Sequence, residues 1–266
     1  MDLATLIGVI LGIVAVGVGM VMKGVPLDAL ANEAAFLIII AGTIASITIA
    51  FPMSELKRIP KLFGVLFKEK KMTKTTELIT LFSDLAQLAR KEGLLALESK
   101  ITEVDDPFLR NGLSLAVDGQ NADYIRDVLS EEIEAMEERH QAGALIFTQA
   151  GTYAPTLGVL GAVIGLIAAL GDMRDTNALG HAISAAFIAT LLGIFTGYVL
   201  WHPFANKLKR KSKIESQHKY MMIEGILSIL EGEAPRVIEQ KLASYLPAGE
   251  RRKFLEEGSV TNNEQA

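Results

Sequence analysis

Residues able to carry chemistry are sparse in this chain, and their placement says more than their number. Cysteine is absent, which leaves no thiolate nucleophile, disulfide framework or Cys-based metal site. The four histidines, His140, His181, His202 and His218, show no metal-ligand spacing such as HExxH. No nucleophile–base set and no phosphate-cradling glycine loop appears, so an enzyme is the least expected class and no cofactor is implied. Charged residues make up 21% of the chain, yet the stretches 3–22, 34–54, 140–171 and 176–206 contain no Asp, Glu, Lys or Arg. That segregation excludes a soluble globular domain, a secreted disulfide scaffold and a disordered chain. It points to an integral membrane protein with a charge-dense aqueous part. The net charge of −5 argues against a nucleic-acid partner.

What remains inside the uncharged stretches is glycine, proline and hydroxyl. Pro155 lacks an N–H, so it frees the carbonyl of Gly151 and can kink its helix. Pro203 similarly frees the carbonyl of Val199 and is expected to close the fourth apolar stretch. Thr148, Gln149, Thr152, Tyr153 and Thr156 cluster in the third stretch, while Ser184, Thr190, Thr196 and Tyr198 are spread through the fourth. Two readings fit these polar residues: ordinary membrane-helix composition, with hydroxyls bonded to the preceding turn, or the lining of an ion path. Gly161-xxx-Gly165 and Gly193-xxx-Gly197 allow close helix approach, equally well within one subunit or between subunits. Ion pathways through membranes usually rest on an intramembrane ionisable residue. The spans lack Asp, Glu, Lys and Arg altogether. A protein of this kind cannot run a proton relay alone, and coupling to an ion gradient requires a partner that brings the carboxylate.

Four spans of about 20 residues position these groups: 3–22, 34–52, one within 143–171 and one within 181–202, each matched to ~30 Å of hydrocarbon. Met1-Asp2 precedes the first without a basic region or cleavage site, so this span is expected to be retained. The short segments 23–33 and 172–180 hold one basic residue each, Lys23 and Arg174, whereas 53–141 holds 13 and 203–266 holds 11. The two long segments and both termini are therefore expected in the cytoplasm. Basic clusters follow the second span (Lys57, Arg58, Lys61, Lys68, Lys70, Lys71) and the fourth (Lys207, Lys209, Arg210, Lys211, Lys213), as anchors on anionic membrane lipid.

The expected fold class is all-α. It is a polytopic membrane protein with four transmembrane helices and a helical cytoplasmic domain inserted between helices 2 and 3. The boundaries are 1–52 for the first transmembrane hairpin, 53–142 for the insertion, 143–203 for the second hairpin and 204–266 for the C-terminal helices and tail. Within the insertion, Leu78, Leu81, Leu85 and Leu88 mark a helix over 74–91, and 94–103 continues after Gly93. Asp106-Pro107 opens a helix with Phe108, Leu109, Leu113 and Leu115, and 120–141 reads as a long charged helix capped near Asn121 or Ala122. The tail 217–246 reads as two helices broken at Gly232 and Pro235, with disorder over 256–266.

Several stretches carry a family resemblance: QAGTYAPTLGVLGAVIGLI at 149–167, GHAISAAFIATLLGIFTGYVLWHPFANKLKRKS at 180–212, ARKEGLLALE at 89–98, DDPFLRNGLSLAVDG at 105–119, EEIEAMEERHQAG at 131–143 and MIEGILSILEGEAPRVIEQKL at 222–242. Together with the topology they resemble the MotA family of flagellar motor stator subunits, over nearly the whole chain. The resemblance implies a homopentamer around a dimer of a MotB-like single-span membrane protein, which carries an essential Asp and a peptidoglycan-binding domain. Ions loading that Asp would turn the ring, and its cytoplasmic face would push a FliG-like rotor switch protein. It further implies an ion-path or coupling role for Pro155, Pro203, Thr190, Tyr198 and Ala162, and rotor contact for Arg90 and Glu98. A proton is favoured over sodium, because Leu157, Gly158, Val159, Leu160, Gly161, Ala162 and Val163 after Thr156 offer few oxygen ligands. An ExbB/TolQ-type energiser of envelope transport is the alternative, usually built with three spans. A self-sufficient transporter is disfavoured by the missing charges and internal repeat.

Overall fold

The computed structural model describes residues 2–69, 72–171 and 176–263; Lys70, Lys71 and Arg174 lie outside them. The described residues are helical, with no strand among them. Helix α1, Leu3–Met22, starts where Asp2 accepts the Thr5 N–H and stops at Lys23. Helix α2 runs over 33–50, with a π turn at Leu37–Ala41 inside it, and ends at Phe51 where Pro52 cannot continue the hydrogen bonding. The amphipathic α3 is Ile59–Phe67, and α4 is Thr75–Glu92. Helix α5, Pro107–Val117, is capped by Asp106, which accepts from the N–H groups of Phe108 and Leu109 at 2.9 and 3.2 Å.

Helix α6, Ala122–Leu170, is one unbroken element of 49 residues. It joins the charged helix expected over 120–141 to the third span, and Asn121 accepts the Tyr124 N–H at 2.8 Å at its start. Helix α7 covers 176–230 as Thr176–Phe195, a π turn at Thr196–Trp201, and His202–Leu230. Helices α8, Pro235–Leu242, and α9, Ala248–Asn263, complete the chain. The expected breaks at Gly232 and Pro235 hold. Residues 264–266 lie outside the described part.

The helix does not stop at Pro203, where the sequence suggests a boundary. The chain stays helical through it because the π turn just upstream widens the backbone, and the His202 N–H reaches back five residues to Gly197 O. That shift makes room for a ring that would otherwise press on the Val199 carbonyl.

The chain forms two units, 1–70 with 139–211 and 71–138 with 212–266. Leu56, Ile59, Leu62, Phe63, Leu66 and Phe67, from the start of the expected insertion, pack in the first unit. Among the described residues, four helices or helix stretches are long and apolar enough to cross a membrane: Leu3–Met22, Leu27–Ala50, and the apolar parts of Ala122–Leu170 and Leu179–Leu230. In the first unit, Phe63 and Phe67 of α3 meet Phe147 of α6 and Trp201 and Phe204 of α7 edge to face, with ring centroids 5.2 to 6.4 Å apart. The second unit is an ordinary soluble core. Leu78, Phe82 and Leu85 of α4 pack with Phe108 and Leu113 of α5, Leu129 of α6, Ile226 of α7 and Leu242 of α8. The expected stripe on α4 is thus half right: Leu78 and Leu85 are buried, while Leu81 and Leu88 lie at the margin and Ile79 and Phe82 take the centre.

Candidate functional site: the crossing of the third and fourth spans and an exposed charged turn

Helices α6 and α7 cross without side chains between them. A Cβ on Gly193 would lie 2.7 Å from Ala154 O and 2.9 Å from Gly158 Cα. A Cβ on Gly158 would meet Ala189 O at 2.8 Å, and one on Gly197 would meet Pro155 Cγ at 2.7 Å and Gly151 O at 2.8 Å. Only glycine fits such contacts, so backbone packs on backbone. The Gly193-xxx-Gly197 pair therefore works within the chain. Gly161 and Gly165 do not form its counterpart, since their nearest neighbours stand 3.6 and 3.9 Å away. Gly158 and Gly151 do. Gly151 was legible only as the residue seven before Gly158, two helical turns along the same face.

Pro155 sits at the centre of this crossing, half-buried in the interior of α6. The carbonyl it leaves without a helical donor, Gly151 O, faces the Gly197 backbone. The His202 imidazole lies over the same place: a Cβ on Gly151 would be 2.7 Å from its Cδ2 and 2.8 Å from its Nε2. His202 also stacks obliquely on Tyr198, with centroids 5.2 Å apart. Composition gave no cue to His202, because contact with Gly151 is a tertiary fact.

Hydroxyl groups near the crossing are turned to their own helix. Thr148, Thr152 and Thr156 form a ladder at every fourth position, donating to Ala144 O at 3.1 Å, Thr148 O at 3.1 Å and Tyr153 O at 2.7 Å. Thr190 donates to Ala186 O at 3.3 Å, and Thr196 to Leu192 O at 2.9 Å. Their protons are committed while oxygen lone pairs stay available. Thr152, Thr156, Tyr198 and Pro203 are exposed, and Thr190 and Ala162 are half-buried. The ion-path candidates thus fall along the α6–α7 pair, with Pro155 packed at its heart and Tyr198 and Pro203 facing outward.

The second candidate site is a turn of the other unit. Arg90 lies in the last turn of α4, which Gly93 stops with φ +88°. A 3-10 turn at Leu94–Leu97 follows, and Glu98 opens the short helix Glu98–Ile101. Arg90 and Glu98 are both exposed and in no ion pair among the described residues. Between them Leu95 is 73% exposed, an apolar group that sequence reasoning passed over. Behind this surface α8 packs on α4, and Ser83 Oγ donates to Glu239 Oε1 at 2.6 Å.

Residues 100–221 match the model of the MotA/TolQ/ExbB proton channel family, and 6–93 match the motility protein A N-terminal model. Motility protein A of Bacillus subtilis is 69% identical over 100% of this chain and 98% of its own. The chain belongs to the MotA family. It is a flagellar motor stator subunit. MotA-type structures agree throughout. The flagellar MotAB stator complex from Bacillus subtilis superposes with a TM-score of 0.90 at 71% identity, covering 94% of this chain and 98% of that one. The C. jejuni MotAB structure gives 0.88 at 32% identity, covering 93% and 97%. The N-terminal motility model spans α1, α2 and Arg90, which favours the MotA branch over the ExbB/TolQ-type energiser.

Proposed function

We propose that this MotA-type subunit forms a homopentamer around a dimer of a MotB-like single-span partner, and that the complex converts an ion gradient into torque on the rotor. The observation that carries the reading is the α6–α7 crossing. Two spans pack backbone on backbone around Pro155, with no carboxylate, ammonium or guanidinium in the apolar stretches 3–22, 34–52, 143–171 and 181–202. Such a pair can change shape at the proline, but the ion-binding Asp must come from the partner. The solved MotAB complexes of two relatives support that partner. Apolar side chains exposed along α1 and α2, such as Ile7, Leu11, Leu37 and Ile44, support further helix packing within a ring and contact with lipid.

In this reading Pro155 and Pro203 are coupling elements, and Thr190, Tyr198 and Ala162 flank the ion path. Arg90 and Glu98 contact a FliG-like rotor protein through a charged surface suited to fast, reversible contact. The proton is the transported ion. The threonine ladder ends at Thr156, and the apolar run beyond it offers few ligands for sodium. The complex sits in the bacterial inner membrane with both termini cytoplasmic, as the distribution of Lys and Arg requires. The test is Pro155→Leu, expressed with the partner in a strain deleted for the native subunit. The expected result is normal co-purification of the partner without rotation. Near-normal swimming removes Pro155 from the coupling step.

A further inference from the structure

At the start of α1 three elements of the span-containing unit meet through polar contacts. The last carbonyls of a helix have no partner within it. Val65, Leu66 and Phe67 at the end of α3, and Lys68 just past it, take donors from distant parts of the chain. Lys211 Nζ donates to Val65 O at 2.7 Å and to Lys68 O at 2.9 Å. Thr5 Oγ1 donates to Leu66 O at 3.3 Å, and the Asp2 N–H donates to Phe67 O at 2.9 Å. One carboxylate at this junction is shared by two ammonium groups. Lys207 Nζ lies 2.9 and 2.8 Å from the two Asp2 carboxylate oxygens, and Lys211 Nζ lies 3.1 Å from Oδ2. The Asp2 side chain is only 13% exposed. The hydrogen bond from Lys207 holds its carboxyl well below the usual carboxylate range against the opposing effect of burial, so Asp2 stays charged at any pH at which cells swim.

Two of the lysines read from sequence as lipid anchors therefore turn inward. Their position on α7 matters, because they sit one and two turns beyond Pro203. Above Pro203 the helix is fixed to α6 by Gly193 and Gly197. We propose that Asp2, Lys207 and Lys211 form a clasp that fixes α7 just below Pro203 to α1 and α3, making them positioning residues for the coupling step. The proposal rests on the coupling reading of Pro155 and Pro203. With both ends held, bending of α7 is confined to the segment between them, which carries the π turn, His202 and Pro203. Shape change at the α6–α7 crossing is then delivered to α1 and α3 as one body rather than lost in a loose helix end.

The test compares Asp2→Asn with Asp2→Glu in the full complex with its partner. Asparagine keeps an acceptor for the Thr5 N–H but no longer neutralises the lysines, whereas glutamate keeps the charge. The expected result for Asp2→Asn is unchanged partner co-purification and an unchanged number of motor-engaged complexes. Torque per engaged complex should be halved or worse, and amide hydrogen exchange over 203–211 about tenfold faster. Asp2→Glu should restore most of both. Wild-type torque per complex and wild-type exchange in Asp2→Asn overturn the clasp. A drop only in the number of engaged complexes also overturns it, by reducing the cluster to a structural role. If Asp2→Asn does not accumulate, Lys207→Gln is read by the same criteria, since Lys211 then keeps the α3 carbonyls. Pro155→Leu, measured alongside, separates the two readings. Rotation in that variant removes the coupling role, whereas a dead Pro155→Leu with a fully working Asp2→Asn removes the clasp alone.

Discussion

Gly197 and Pro155 approach so closely that position 197 has no room for a side chain. Gly197→Val would drive methyl groups into the Pro155 ring and the Gly151 carbonyl, and overpacking of this kind costs roughly 1–3 kcal/mol. The purified complex should melt at lower temperature and the cells should lose motility. Gly161→Ala is the contrast: with its nearest neighbours 3.6 Å from the new methyl, it should leave both unchanged. Asp2 makes a pH prediction. Its folded-state pKa is lowered, so its stabilisation is present above the unfolded value of about 3.9 and is lost as pH falls through the folded one. Asp2→Asn should therefore lower thermal stability by a constant amount between about pH 5 and 8, with the gap to the unsubstituted complex closing only in strong acid. A gap that varies within the neutral range would mean that another group titrates there. Pro155 was visible from the residues alone, because a proline inside an apolar span is conspicuous. Gly151 and His202 were not, because their importance lies in a contact between helices.

At the level of elements, the turn between α4 and the following short helix depends on the backbone of one glycine. Gly93 has φ +88° and ψ 164°, a region open essentially to glycine. Gly93→Ala should cost roughly 1–3 kcal/mol and turn Glu98 away from its present direction relative to Arg90. It is checked by limited proteolysis and by torque. Arg90→Glu should weaken torque while leaving partner assembly intact, since Arg90 is exposed and its side chain supports no core. Lost assembly would make Arg90 structural. The clearest difference between expectation and structure also belongs to this scale. Proline usually ends a helix, so Pro203 reads as a stop. A π turn one turn earlier absorbs the missing hydrogen bond, and nothing in residue type announces it.

For the whole molecule, the missing intramembrane charge is the property with the widest consequence. The chain expressed without its partner should give no large proton leak, measured by dye in energised vesicles. A robust leak would mean that the path is complete within one protein. Replacing external sodium with potassium at constant proton-motive force should leave torque unchanged, and a loss would assign the path to sodium. The sequence by itself determined the class, the four apolar spans, the lack of charge within them and most helix boundaries. These follow from runs of apolar residues, caps and charge counts, all of them local or additive. Tertiary structure decided which glycines meet, that α6 and α7 run on through points where the sequence suggests boundaries, and that apolar residues from the start of the expected insertion pack in the first unit. It also decided that Lys207 and Lys211 face Asp2 rather than lipid. Pairings of this kind join residues some 200 positions apart. No periodicity or composition can encode them, because they exist only once the helices have packed.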